Sequence, residues 1–183
     1  MNTELMLSEP EAGASWNHPL PVQASGGVSA GRWDPSLGRL GIGERTRTRA
    51  VAAASYRALP DSVRSAREFG VESLFAWRMP ELAENLRLIV SELVGNACRH
   101  AVAADGPEHT RITLQLRPLP EQGTVVCMVA DPSPKGPVRI DAHHFAESGR
   151  GLSLIAAFSR EWGWGPALGH GKVVWAVCAS DPL

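Results

Sequence analysis

Apolar and polar residues follow several rhythms along the chain, and each change of rhythm marks an element. Ala50-Val51-Ala52-Ala53-Ala54-Ser55-Tyr56 predicts a first strand. Leu59-Pro60-Asp61-Ser62 then reads as a helix start, and Val63, Ala66, Gly70, Leu74 and Trp77 recur on one face at helical spacing, which predicts a helix over 61–77. Met79-Pro80-Glu81 is a second start, with proline early and Glu81 and Glu84 placed at the positive end of the helix dipole. The next break is Asp105-Gly106-Pro107, so this second helix is long. Ile112, Leu114 and Leu116 alternate with Arg111, Thr113, Gln115 and Arg117, the period of two of a half-buried strand. After a turn over 118–123, the run Thr124 to Ala130 is apolar on both faces and suits a central strand paired to the first in a hairpin. Pro132 stops it. A short helix from Gly151 to about Trp162 and strands over 164–168 and 172–179 complete the pattern. The order β-α-α-β-β-loop-α-β-β predicts an α+β fold, a mixed and mostly antiparallel sheet with helices on one face.

Two segments fall outside these rhythms. Residues 1–44 are rich in Gly, Ser and Pro and hold only scattered large apolar groups such as Trp16, Trp33 and Leu37. Such a stretch buries too little surface to offset its ordering entropy and reads as a disordered tail, the alternative being a short docking motif around Arg32-Trp33-Asp34-Pro35. The expected division of the 183 residues is a tail over 1–48 and one folded domain over 49–181. The second segment, Pro132 to Gly149, is 18 residues without a clean period, long for a loop in a compact domain and therefore a candidate for function.

Composition excludes more than it suggests. Eighteen basic residues against nineteen acidic ones give a net charge of -1, so no bulk positive charge favours nucleic acid or an anionic membrane. The sum hides a basic stretch, Arg45 to Arg78, which suggests a docking surface for an acidic protein. Lys135 and Lys172 are the lysines and the other basic residues are Arg, a bias that reads as genomic base composition; Lys172 reads as a surface residue, the alternative being a phosphate contact. Cys98, Cys127 and Cys178 lack any C-x-x-C spacing, which argues against a disulfide framework or a zinc knuckle and for a reducing, cytoplasmic setting. The N-terminal residues do not form a signal peptide, and no apolar run approaches the ~20 residues of a membrane helix.

The candidate chemistry begins in Ser91-Glu92-Leu93-Val94-Gly95-Asn96-Ala97-Cys98-Arg99-His100-Ala101. At about 100° per residue, Glu92, Asn96, Arg99 and His100 share one stripe beside the apolar stripe of Leu86, Ile89, Val90, Leu93 and Ala97. A carboxylate there can act as a base, and an amide oxygen can ligate a hard cation such as Mg²⁺. The same spacing also fits a solvated helix face with i,i+4 polar pairs. Asp131 ends an apolar strand where the long loop begins, either as an acceptor for the exocyclic amine of a purine or as a plain turn residue before Pro132. Ser148-Gly149-Arg150-Gly151-Leu152 is a glycine-flanked helix start whose backbone N–H groups suit a phosphate, with Arg150 at hand, although such starts are common. His143-His144 with Glu147 lacks metal-site spacing, and Gly165 to Lys172 departs from a P-loop because five residues separate Gly165 from Gly171 and Val173 follows the lysine.

Together and in this order, these segments resemble the Bergerat-fold (GHKL) ATPases, specifically the small anti-sigma regulatory serine/threonine kinases typical of actinobacteria. The resemblance spans about residues 50–180 and is carried by Ser91 to Ala101, by Val129-Ala130-Asp131 with Pro134 and Pro137 beyond, and by Gly149-Arg150-Gly151-Leu152. Trp162-Gly163 and Gly171-Lys172-Val173-Val174-Trp175-Ala176 add to it. It implies a two-layer α/β sandwich that binds ATP with Mg²⁺. Asn96 would hold the metal, Glu92 would be the catalytic base, and Asp131 would read the adenine amine. Gly149, Arg150 and Gly151, with Leu152 beside them, would close on the phosphates, and residues 132–148 would form the nucleotide lid. Arg99 and His100 match the motif, as phosphate contacts or as structural residues.

The implied activity is phosphorylation of a serine or threonine on a STAS-domain anti-anti-sigma factor, with a sigma factor as second partner and homodimerisation possible; no direct nucleic-acid or membrane partner is implied. The chain departs from the family pattern in Asp131-Pro132-Ser133-Pro134, where a glycine is usual in place of Ser133, and in Gly171-Lys172, where many relatives carry Gly-Thr. Those departures favour the alternative, a non-catalytic module that regulates transcription by sequestering a partner with or without nucleotide.

Overall fold

The computed structural model describes residues 45–47, 51–102, 106–137, 150–167 and 171–181. The expected tail over 1–44, most of the lid (138–148), Gly149 and the His143-His144-Glu147 group lie outside the described residues.

Strands β1 (Arg45–Arg47), β2 (Ala52–Arg57), β3 (Arg111–Leu119), β4 (Thr124–Asp131), β5 (Glu161–Pro166) and β6 (Lys172–Ala179) form one sheet in the order β1-β2-β3-β4-β6-β5. Among the described residues every pairing is antiparallel, the predominant kind the sequence pattern predicts, and no parallel pair of a mixed sheet occurs. The sheet begins at Arg45, ahead of the position 49 at which the sequence pattern starts the domain; three residues are too short for a periodic signal. The β3–β4 hairpin turns through a single 3₁₀ turn, Pro120–Gln122, closed by Gly123 at φ 61°.

Helix α1 (Pro60–Trp77) has proline in its first turn with Asp61 beside it, as expected from its sequence start. It stops at Arg78, which adopts φ 61° and donates its N–H to the carbonyls of Leu74 and Phe75. That left-handed conformation, uncommon outside glycine, turns the chain for a new start. A 3₁₀ turn, Pro80–Leu82, then leads into α2 (Ala83–His100). The helix ends at His100, short of the break at Asp105: Arg99 and His100 fill its last turn, where basic side chains oppose the dipole, and the Ala101 N–H returns to the Ala97 carbonyl. Helix α3 (Arg150–Phe158) is likewise shorter than expected. Trp162 lies in β5, because Trp162-Gly163-Trp164-Gly165 has a strand period of two that sends both indoles toward the helices.

The three helices cover one sheet face. Phe69, Leu74, Leu82, Leu86, Ile89, Val90 and Ile155 pack on Ile112, Leu114, Leu116, Val125, Cys127 and Cys178. Gly70 lies against the Leu86 and Val90 side chains in this layer. Asn85 ties α2 to the end of β6 by donating from Nδ2 to the Ala179 carbonyl at 2.7 Å. The opposite face carries its own apolar cluster of Ala53, Val126, Met128, Val173, Trp175 and Val177. All three cysteines are free, and burial pushes the Cys178 thiol up to about 12. No helix among the described residues is long and apolar enough to cross a membrane.

Within the described part of the stretch from Arg45 to Arg78, two arginines are paired with acidic side chains on the folded surface. Arg57 pairs with Glu108 at 2.9 Å and Arg64 with Glu68 at 3.0 Å. Such exposed pairs contribute little to stability, but they spread the positive charge that a docking surface for an acidic partner would need.

Candidate functional site

Helix α2 places its polar stripe along one wall of a cavity of about 450 Å³, within the usual range for small-ligand sites. Asn96 and His100 line it from the helix, with Leu93 and Ala97 beside them. Val129 and Asp131 of β4 and Lys172 and Val174 of β6 form its floor; Lys135, Gly136 and Pro137 contribute one rim, and Gly151 and Leu152 of α3 the other. Apolar walls with a few polar groups at the ends suit a flat base attached to a charged tail.

At one end, Gly151 at the start of α3 comes against α2. A Cβ there would lie 2.6 Å from Glu92 Oε2 and about 3.4 Å from the Asn96 amide, so glycine lets the helix start approach both residues. Glu92 and Asn96 are partly buried, and among the described residues neither has a hydrogen bond to a neighbouring element. Arg99 folds back along the helix and donates from Nη2 to Asn96 Oδ1 at 2.8 Å. The amide oxygen expected to ligate a cation thus carries a guanidinium. This pair is exposed and its partner long and flexible, so parting it costs little. Among the described residues no cluster of three or more His, Cys, Asp or Glu exists. One amide oxygen near a carboxylate fits Mg²⁺, which binds few protein ligands and takes its other oxygens from phosphate and water.

At the other end, the antiparallel register sets Asp131 opposite Lys172. Lys172 Nζ donates to Asp131 Oδ1 at 2.9 Å and to the Ser133 carbonyl at 3.3 Å, while the Ser133 N–H donates to the same Oδ1 at 2.9 Å. The side chains are 7% and 2% exposed, a buried ion pair. Lys172 is therefore not the surface residue its charge and position in the sequence suggest. Oδ2 of Asp131 accepts no hydrogen bond among the described residues. Burial pushes the Asp131 carboxyl above the ordinary carboxylate range, and the hydrogen bond and charge of Lys172, with the Ser133 N–H, pull it part of the way back.

Two glycines make this end possible. Gly171 sits at φ 87°, and any Cβ there would run into the Asp131 carbonyl and the Pro132 Cα; β6 can begin beside the end of β4 because position 171 has no side chain. Gly136 lies flat on the Trp164 indole of β5, where a Cβ would enter the ring, and this contact anchors the Ser133 to Pro137 rim.

Of the residues singled out from sequence, Asn96, His100, Asp131, Gly151 and Leu152 line this cavity, and Glu92 stands against Gly151 at its edge. Arg99 reaches it through Asn96. The backbone of Arg150 opens α3, while Gly149 lies outside the described residues. Sequence reasoning missed Lys172 and Lys135. The signal was present: in a chain that uses Arg almost throughout, its two lysines both line the cavity.

Comparison with curated proteins gives no match. The family model for the histidine kinase-like ATPase domain matches residues 56–178, from Tyr56 in β2 to Cys178 in β6. That span holds both ends of the cavity, with Glu92 and Asn96 at one and Asp131 at the other, so fold and site agree that the chain belongs to the histidine kinase-like ATPase domain family.

Proposed function

We propose that this protein is a regulatory kinase of the anti-sigma type, which transfers the terminal phosphoryl group of ATP to a serine or threonine of a STAS-domain antagonist and sequesters a sigma factor when that antagonist is absent. The observation that carries the reading is the approach of Gly151 to Glu92 and Asn96 beside a cavity of nucleotide size. Val129, Leu152 and Val174 would sandwich the base, and Asp131 Oδ2 would accept from its exocyclic amine. Asn96 would offer its amide oxygen to Mg²⁺, which when bound supplies positive charge against the phosphate oxygens. Glu92 would accept the proton of the incoming hydroxyl, and the N–H groups that open α3 would donate to phosphate oxygens. Homodimerisation and a cytoplasmic setting belong to the same proposal.

A second reading has specific support: Lys172 already occupies one oxygen of Asp131, and Arg99 occupies the Asn96 oxygen. Both contacts suit a module that holds its partner without turning over ATP. Incubation with labelled ATP, Mg²⁺ and candidate STAS partners separates the two. Label on a partner hydroxyl is the expected result; ATP binding without label on any partner would leave the binding module as the better account.

Gly151→Ala offers a sharper check on the geometry. The added methyl displaces the Glu92 carboxylate, the far end of a flexible side chain, so the fold adapts while the base moves. Misplacement of about 1 Å can cost about 10²-fold in rate. Phosphotransfer is expected to fall by at least about tenfold, while the denaturation midpoint stays level or rises slightly, because alanine favours helix over glycine by about 1 kcal/mol. Unchanged transfer would remove the role assigned to this contact.

A further inference from the structure

The buried ion pair between β4 and β6 lies inside the cavity, so its lysine is in a position to act on whatever the carboxylate binds. Asp131 has two oxygens in different circumstances. Oδ1 is taken by Lys172 Nζ at 2.9 Å and by the Ser133 N–H at 2.9 Å; Oδ2 accepts nothing among the described residues. Two fixed donors on one oxygen stop the carboxylate from rotating, and the Ser133 carbonyl, 3.3 Å from Nζ, holds the ammonium in place. Gly171 makes this arrangement possible by letting the two strand ends meet.

We infer that Lys172 is a positioning residue for nucleotide recognition: it pins Asp131 through Oδ1 so that Oδ2 faces the cavity as a single charged acceptor, which selects a base bearing an exocyclic amine. The inference rests on the nucleotide reading above and adds to it the residue that orients the acceptor. Charge is part of the effect. A carboxyl buried this deeply loses its proton reluctantly, and the ammonium favours the ionised form that can only accept. The other titratable groups that line the cavity are His100 from α2 and Lys135 from the rim. Neither has a hydrogen bond to Asp131. Lys172 is the group that controls it.

The test deletes the amine from the ligand and the lysine from the protein in one cycle. Mg²⁺-dependent binding of ATP and of purine riboside triphosphate, which lacks the amine, is measured on the full chain and on Lys172→Met and Lys172→Arg. The intact protein is expected to prefer ATP by about tenfold or more, the typical effect of a hydrogen bond to a charged acceptor. Lys172→Met should reduce that preference below about threefold and make it weaken further as pH is lowered and Asp131 takes up its proton, and Lys172→Arg should restore much of it. Lys172→Gln, which can still donate to Oδ1 but carries no charge, replaces the methionine variant if the latter does not fold; it keeps the pin and loses the charge, so a preference between those of the intact protein and Lys172→Met is expected. A neutral variant that keeps the full preference at every pH would overturn the role of Lys172 while leaving the nucleotide reading intact. An intact protein that binds both nucleotides equally would also overturn it, since Asp131 would then not read the amine. Failure of the intact protein to bind either nucleotide would instead overturn the nucleotide reading.

Discussion

Glu92→Gln is expected to lower phosphotransfer to a STAS-domain partner by about 10² to 10⁴-fold, the usual contribution of a positioned general base. Glutamine keeps the shape of the side chain and its fit against Gly151, but its amide cannot take the hydroxyl proton. ATP affinity should change by less than about threefold, since uniform binding is not what the carboxylate supplies. Single-turnover transfer and equilibrium ATP binding, measured on the same preparation, separate the two quantities. A variant that transfers phosphate at the normal rate would show that Glu92 is not the base. One that loses ATP binding and transfer in equal measure would mean that its carboxylate serves to hold nucleotide or metal.

Lys172→Met should cost about 3–5 kcal/mol of stability, because it leaves the Asp131 carboxylate buried without its counter-ion. The pH dependence has a definite sign. With its native pKa above the ordinary carboxylate value of about 3.9, the folded protein holds the Asp131 proton more tightly than the unfolded chain. Stability therefore falls as pH rises through the window between the two values. Removing Lys172 removes the two largest effects that lower the native value and widens that window upward. The deficit of the variant should be larger at pH 8 than at pH 5 in urea denaturation. Adding Asp131→Leu should recover most of the loss, because a pair replaced by apolar groups no longer leaves a buried charge. Equal stability of the intact protein and Lys172→Met at pH 8 would show that the pair contributes nothing.

The fold was legible wherever one period ran long enough to be read. The helical stripe of Leu86, Ile89, Val90 and Leu93 and the alternation of Ile112, Leu114 and Leu116 each declare their element and its buried face. Boundaries were less clear. The Trp162-Gly163-Trp164 stretch follows a helix closely, and its period of two covers too few residues to outweigh the preceding apolar run. On the site, the α2 stripe was legible because helix geometry fixes its angles. The partner of Asp131 was not, because β4 and β6 are neighbours in space but separated in the chain by α3 and β5, and nothing local sets their register. A lysine read alone is expected at the surface; what buries it is a carboxylate 41 positions earlier.

That separation also has a kinetic meaning. The β3–β4 hairpin and the α1–α2 pair rest on local contacts and can form quickly, whereas the pairing of β4 with β6 closes a long loop before any contact rewards it. The base end of the cavity is thus expected to assemble late, together with the equally non-local pairing of β2 with β3. Until β6 arrives, β4 presents an unpaired apolar edge, the kind of surface that chaperones hold and aggregates recruit. Nucleotide binding, which needs both strands, would then report that this non-local pairing has formed: a refolding chain gains its local secondary structure first and its affinity for ATP afterwards.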